Sequence, residues 1–176
     1  MDPIDTPEWA DNPRLSGWLA EQRQAFPAWA AEHGGDWDFA PASLDRLEDL
    51  IRSRFDTWEE VRDARGTPLL EVAAWYLGET LVRRCGVMWR CMPALPQPHP
   101  PAGGYPLVTY ARDGLTEYEQ EVLEDLEERL EMSVPLLDPA DAIRSLFAVP
   151  GYRLAGTVDR FDRFQEWRRS LPGEVD

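Results

Sequence analysis

The chain contains no lysine: all 18 of its basic residues are arginine, and they face 33 acidic residues for a formal net charge of −15. A field of that sign repels nucleic acid and anionic membrane surfaces, and it favours a basic partner. The missing lysine, with 16 prolines and abundant alanine, reads as the imprint of a GC-rich genome and not as a functional signal. Long apolar runs are missing as well. No stretch of 18 apolar residues occurs, so no membrane span is expected. The opening residues MDPIDTPEWADNP are acidic and polar and carry no signal-peptide pattern, which makes a cytoplasmic protein the expectation.

Cysteine and histidine are scarce. Cys85 and Cys91 lie six residues apart, with no CxxC and no second pair to complete a zinc site; a disulfide between them is left open. His33 and His99, the two histidines, each sit in a Gly- or Pro-rich loop and belong to no HxxxH or ExxH pattern. A serine or cysteine nucleophile would have only these two as its base. No GxSxG, Walker loop or GxGxxG is present either. No catalytic residue, metal ligand set or cofactor is therefore expected.

What is present suits one globular domain. A chain of 176 residues buries roughly 68–70% of its unfolded surface and needs no disulfide or metal to fold. At 43% hydrophobic, with eight tryptophans, it lies well outside the disordered class.

Residues 1–12 read as irregular, broken by Pro3 and Pro7. From Pro13 to Ala31, Leu15, Trp18, Leu19, Phe26 and Trp29 recur at helical spacing, with Pro27 expected to split or kink the helix. After a connector at Gly34-Gly35, Ser43 is placed as the cap of a helix carrying Leu44, Leu47, Leu50, Ile51, Phe55, Trp58 and Val61 on one face. Thr67-Pro68 opens the next helix, whose apolar stripe is Leu70, Ala73, Ala74, Leu77 and Leu81, and Gly86 is placed to end it.

Residues 87–93 and 105–111 read as strands, joined by a Pro/Gly-rich loop at 94–104 that is too long for a tight turn and is expected to be mobile. Thr116 and Glu119 have capping-box spacing and open an acidic helix to Met132. A short extended piece, SVPLL, leads to a helix from Asp138-Pro139 to Phe147, and a last helix spans 156–170. The outline is α+β: a single domain, mostly helical with five or six helices, and a small antiparallel sheet.

Two places invite a functional reading. The stretch AAWYLGETLVRRCGVMW (73–89) puts Gly78 in mid-helix and pairs Glu79 with Arg83 at i, i+4. Glycine there costs about 1 kcal/mol relative to alanine, which calls for a packing reason such as a close crossing. Against that stands a pocket reading, in which Tyr76, Glu79, Arg83 and Trp89 surround a small anionic ligand. The second place is the helix TEYEQEVLEDLEERLE (116–131), with eight acids to one arginine. Tyr118, Val122, Leu126 and Leu130, widened by Leu123, form its apolar stripe. Glu117, Glu121, Glu124, Asp125, Glu128 and Glu131 cover the remaining faces, either as a solvated surface or as a docking face for a basic protein. Asp36 and Asp38 form a D-x-D too sparse for a metal site, though they could join the docking face. In the last helix, Arg160, Arg163, Arg168 and Arg169 are placed to neutralise part of the acidic helix.

The residues Tyr76, Gly78, Glu79, Gly86, Trp89, Pro106, Asp138 and Pro139 also carry a resemblance. This pattern, a Tyr-x-Gly-Glu helix, a glycine, a tryptophan opening a strand and a later Asp-Pro helix start, is similar to that of a loose group of small bacterial proteins, many actinobacterial. The resemblance covers 70–148 at most, and this chain has Gly86-Val87-Met88 where that group shows a double glycine before the tryptophan. It implies a small α+β domain without assigned chemistry, in some cases toxin-adjacent, and hence an immunity-type or accessory role. The expectation is a non-enzymatic, acidic protein-binding module docking a basic partner. The alternative is a small-molecule-binding or catalytic domain around Tyr76, Glu79, Arg83 and Trp89. Oligomeric state is not read from the sequence.

Overall fold

The computed structural model describes residues 3–94 and 105–172. His99 and nearly all of the 94–104 loop lie outside them. The protein is α+β, mostly helical with a small antiparallel sheet.

Its helices are α1 (Pro7–Ala10), α2 (Pro13–His33), α3 (Pro41–Arg52), α4 (Trp58–Asp63), α5 (Pro68–Cys85), α6 (Glu117–Glu128), α7 (Pro139–Ala148) and α8 (Ala155–Ser170). The strands β1 (Met88–Arg90), β2 (Leu107–Thr109) and β3 (Leu136–Leu137) form one sheet in the order β1-β2-β3. Trp89 faces Val108 across the first antiparallel pair, and Val108 faces Leu137 across the second.

α5 is the axis of the molecule. It packs against α2, α7, α8 and both long-loop strands, and its residues are buried on nearly every side, well beyond the narrow stripe its sequence suggests. A helix that is apolar all round belongs at the centre of a core. Gly86 ends it in the left-handed conformation at φ 67°, which glycine adopts without steric cost.

Several expectations need correcting. The described part of residues 1–12 is not irregular throughout: a 3-10 turn covers Pro3–Asp5 and α1 follows it. α2 runs unbroken through Pro27, because Phe26 and Trp29 on either side are held by the aromatic core. Ser43 does not cap α3. That helix starts two residues earlier, at Pro41, and the Ser43 hydroxyl is engaged with Tyr76. The apolar face expected over 44–61 belongs to two helices, with α4 starting anew where the Thr57 hydroxyl accepts from the Glu60 N–H.

Helix α3 is tied to α8 by one carboxylate. Glu48 is only 4% exposed and accepts from Arg52 Nε at 3.0 Å, Arg153 Nε at 3.1 Å and the Leu154 N–H at 3.1 Å. Burial opposes its ionisation, but the Leu154 N–H and the two guanidinium groups outweigh that and hold the carboxyl below its usual range.

Candidate functional site

The Tyr-x-Gly-Glu segment of α5 lies inside the core. Tyr76 is fully buried; its hydroxyl accepts from the Phe39 N–H at 2.9 Å and shares a 2.6 Å hydrogen bond with Ser43 Oγ. Phe39 sits at φ 60°, a region that bulky residues rarely occupy. Its ring is stacked on Tyr76 at 4.6 Å, and the Arg83 guanidinium lies 3.6 Å from its centre. Arg83 Nε also donates to Glu79 Oε1 at 3.1 Å. Trp89 covers Gly78 so closely that a Cβ there would lie 2.1 Å from the Trp89 ring, and that ring also meets Trp18 edge-on at 5.3 Å. The structure thus brings Tyr76, Glu79, Arg83 and Trp89 together around a packed junction of α2, α5, β1 and the turn before α3.

Beside that junction lies a larger aromatic cluster of Phe26, Trp29, Trp37, Phe39, Trp75 and Tyr76. The indole N–H groups of Trp29, Trp37 and Trp75 meet no acceptor among the described residues. Edge-on ring contacts, such as Trp29 to Trp37 at 4.8 Å, are the compensation this interior offers. Sequence alone gave the helical spacing of Phe26 and Trp29, but not their convergence with Trp37 from the connector.

The cysteines are both buried and free, which closes the disulfide question. Burial, reinforced by the neighbouring Asp162 carboxylate, pushes the Cys85 thiol up to about 11, and burial also raises that of Cys91. Asp36 and Asp38 are exposed, and Asp38 Oδ1 accepts from the Ala40 N–H at the start of α3. Among the described residues no group of three or more His, Cys, Asp or Glu side chains is gathered as for a metal ion.

Helix α6 presents the other candidate surface. Thr116 and Glu119 form the expected capping box, with the Thr116 hydroxyl accepting from the Glu119 N–H at 3.2 Å and the Glu119 carboxylate accepting from the Thr116 N–H at 2.8 Å. The eight acids then divide by role. Glu119 is drawn inward by Arg168 of α8 at 2.9 Å, which holds its carboxyl below the usual range, and Glu127 pairs with Arg112. Glu117, Glu121, Glu124, Asp125, Glu128 and Glu131 are all exposed. Of these six only Asp125 has an arginine within ion-pair reach among the described residues, Arg129 at 3.7 Å. The uncompensated carboxylates are therefore the outward-facing ones.

The apolar stripe of α6 departs from expectation at both ends. Leu123 is its fully buried member; Tyr118 is 41% exposed and Leu130 is 94% exposed. The helix stops at Glu128 in a Schellman turn, with the Glu131 N–H donating to the Leu126 carbonyl and the Leu130 N–H to that of Glu127, both at 3.0 Å. Leu130 takes the left-handed position of that turn, φ 58°, where glycine is the usual residue. A side chain there costs about 1 kcal/mol. Next to it, between the end of α6 and α8, runs a groove of about 520 Å³.

Comparison with known protein families, with curated proteins and with solved structures finds no match for this chain.

Proposed function

We propose that this protein is a non-enzymatic, acidic binding module that docks a basic protein through the outer face of α6, in the manner of an immunity-type inhibitor or accessory factor. One observation carries the reading: among the described residues five exposed carboxylates, Glu117, Glu121, Glu124, Glu128 and Glu131, are left without an arginine although ion pairs form elsewhere along the same segment. Like charges at i, i+3 and i, i+4 on one helix repel one another, so the arrangement costs the free protein some stability. A basic surface laid across them relieves that repulsion and is steered to it over about a Debye length. The net charge of −15 disfavours nucleic acid or anionic lipid as the partner.

The alternative, a ligand pocket at Tyr76, Glu79, Arg83 and Trp89, draws less support. Tyr76 has its hydroxyl spent on Phe39 and Ser43, Gly78 is covered by Trp89, and Arg83 is engaged by both Glu79 and Phe39.

The test is capture from native lysate at low salt by the wild type and by a variant with Glu117, Glu121, Glu124 and Glu128 changed to glutamine. A stoichiometric basic protein held by the wild type, released by salt and lost by the variant is the expected result. A protein retained equally by both would remove α6 from the account.

A further inference from the structure

β1 lies at the edge of the sheet, and the residues ahead of α2 are laid against its end. The Cys91 N–H donates to the Trp9 carbonyl at 2.8 Å, and the Asn12 side chain donates to the Cys91 carbonyl at 2.9 Å. Asn12 also accepts from the Leu15 N–H, which fixes it to α2 and makes it a hinge. Ahead of that hinge none of residues 4–11 is buried, and Ile4, Asp5, Thr6 and Trp9 are half-buried at most. A segment with so little apolar burial belongs to the low-stability end of a fold.

What the segment covers is a charge. Arg90 is only 4% exposed, and its Nη1 donates to the Thr6 carbonyl at 3.2 Å. Its Nε meets no acceptor among the described residues. The chain holds 33 acids, yet no carboxylate of the described residues is within ion-pair reach of Arg90; Asp5 of the same segment pairs with Arg112, at 3.8 Å. A guanidinium taken out of water without a counter-charge is costly, and one carbonyl offsets little of that. Lifting the segment hydrates it. We propose that residues 4–11 are a strap poised to open on the Asn12 hinge: the unpaired Arg90 beneath sets how often it lifts, and the outer edge of β1 is uncovered when it does. The strap is independent of the docking face on α6.

Hydrogen exchange of the whole chain, followed by NMR across a low-urea series, reads the strap directly. The Cys91 N–H reports its opening, because the acceptor is the Trp9 carbonyl, and the Leu77 N–H in the middle of α5 reports global unfolding. In the wild type the protection of Cys91 is expected to be at least roughly 100-fold below that of Leu77, with a weaker dependence on urea. Arg90→Met removes the charge and keeps an unbranched chain, and it is expected to raise the protection of Cys91 roughly tenfold. Trp9→Ala strips the strap of its largest side chain and is expected to lower it. Equal protection and equal urea dependence at Cys91 and Leu77 overturn the proposal, since the segment then opens only with the whole fold. So does an Arg90→Met protein that fails to fold or protects Cys91 no better than the wild type, because Arg90 then holds the segment down. Protection of Cys91 unchanged by Trp9→Ala overturns it as well.

Discussion

The six-membered ring of Trp89 lies over Gly78 with no room between them for a methyl group: a Cβ on residue 78 would come within 2.1 Å of the ring. That contact accounts for the glycine in the middle of the central helix. It joins α5 to β1 at a point where Trp18 of α2 also meets the Trp89 ring edge-on.

Gly78→Ala therefore has a sign as well as a size. In a helix interior the change ordinarily stabilises by about 1 kcal/mol. Here the ring must move, and overpacking of a rigid core costs about 1–3 kcal/mol instead. Urea denaturation of the two proteins checks this, and Trp89→Leu should recover part of the loss in a double-mutant cycle. A more stable Gly78→Ala protein would contradict the contact.

Much of this framework was readable in the sequence because it is local chemistry. Pro68 opens α5 at its first position, after a Thr67 whose side chain makes no cap hydrogen bond, Gly86 ends it, Thr116 and Glu119 box the start of α6, and Asp138 caps α7 through the Ala140 and Asp141 N–H groups. Each needs only neighbours within one turn. The misreadings involve distant partners. Ser43 has a capping residue's side chain, but its hydroxyl meets Tyr76, 33 positions away. Leu130 keeps the i, i+4 spacing of a buried stripe, yet the helix ends two residues before it and turns it outward. The break before α4 did have a local signal, the Thr57 to Glu60 spacing, hidden by the continuing apolar pattern. For the candidate site, the six exposed acids between 117 and 131 stood out by the apolar spacing alone, whereas the groove forms only when α8 packs alongside.

Glu48 links stability to pH. Its carboxyl titrates below the usual range in the folded protein, so the stabilisation is fully present above the unfolded value, about 4.3, and is lost as pH falls through the folded value. Chemical denaturation from pH 7 downwards should show stability declining below about pH 4.5. Glu48→Gln should flatten that part of the curve. Glu48→Ala leaves the buried Leu154 N–H without its acceptor and frees the two more exposed guanidinium groups of Arg52 and Arg153, and should cost about 1–3 kcal/mol at neutral pH. A curve unchanged by Glu48→Gln would contradict the role given to this carboxylate.

Leu130→Gly should stabilise the protein by about 1 kcal/mol, because the left-handed position it occupies suits glycine. Thermal denaturation gives the answer directly. A loss of stability would mean that the leucine side chain packs in solution.

Neither thiol should react in the native state. Cys85 and Cys91 are buried, and the raised Cys85 value leaves almost no thiolate at neutral pH. Alkylation followed by mass spectrometry should label both only after denaturant is added. Rapid labelling of Cys85 in native buffer would contradict its burial.

The docking of a basic partner on α6 is tested most directly by its association rate. Once the captured partner is purified, stopped-flow mixing from about 50 to 500 mM salt should show the rate falling steeply, with a shallower dependence for the four-glutamine variant. A rate that stays flat across that range, or falls equally for both proteins, would contradict the account.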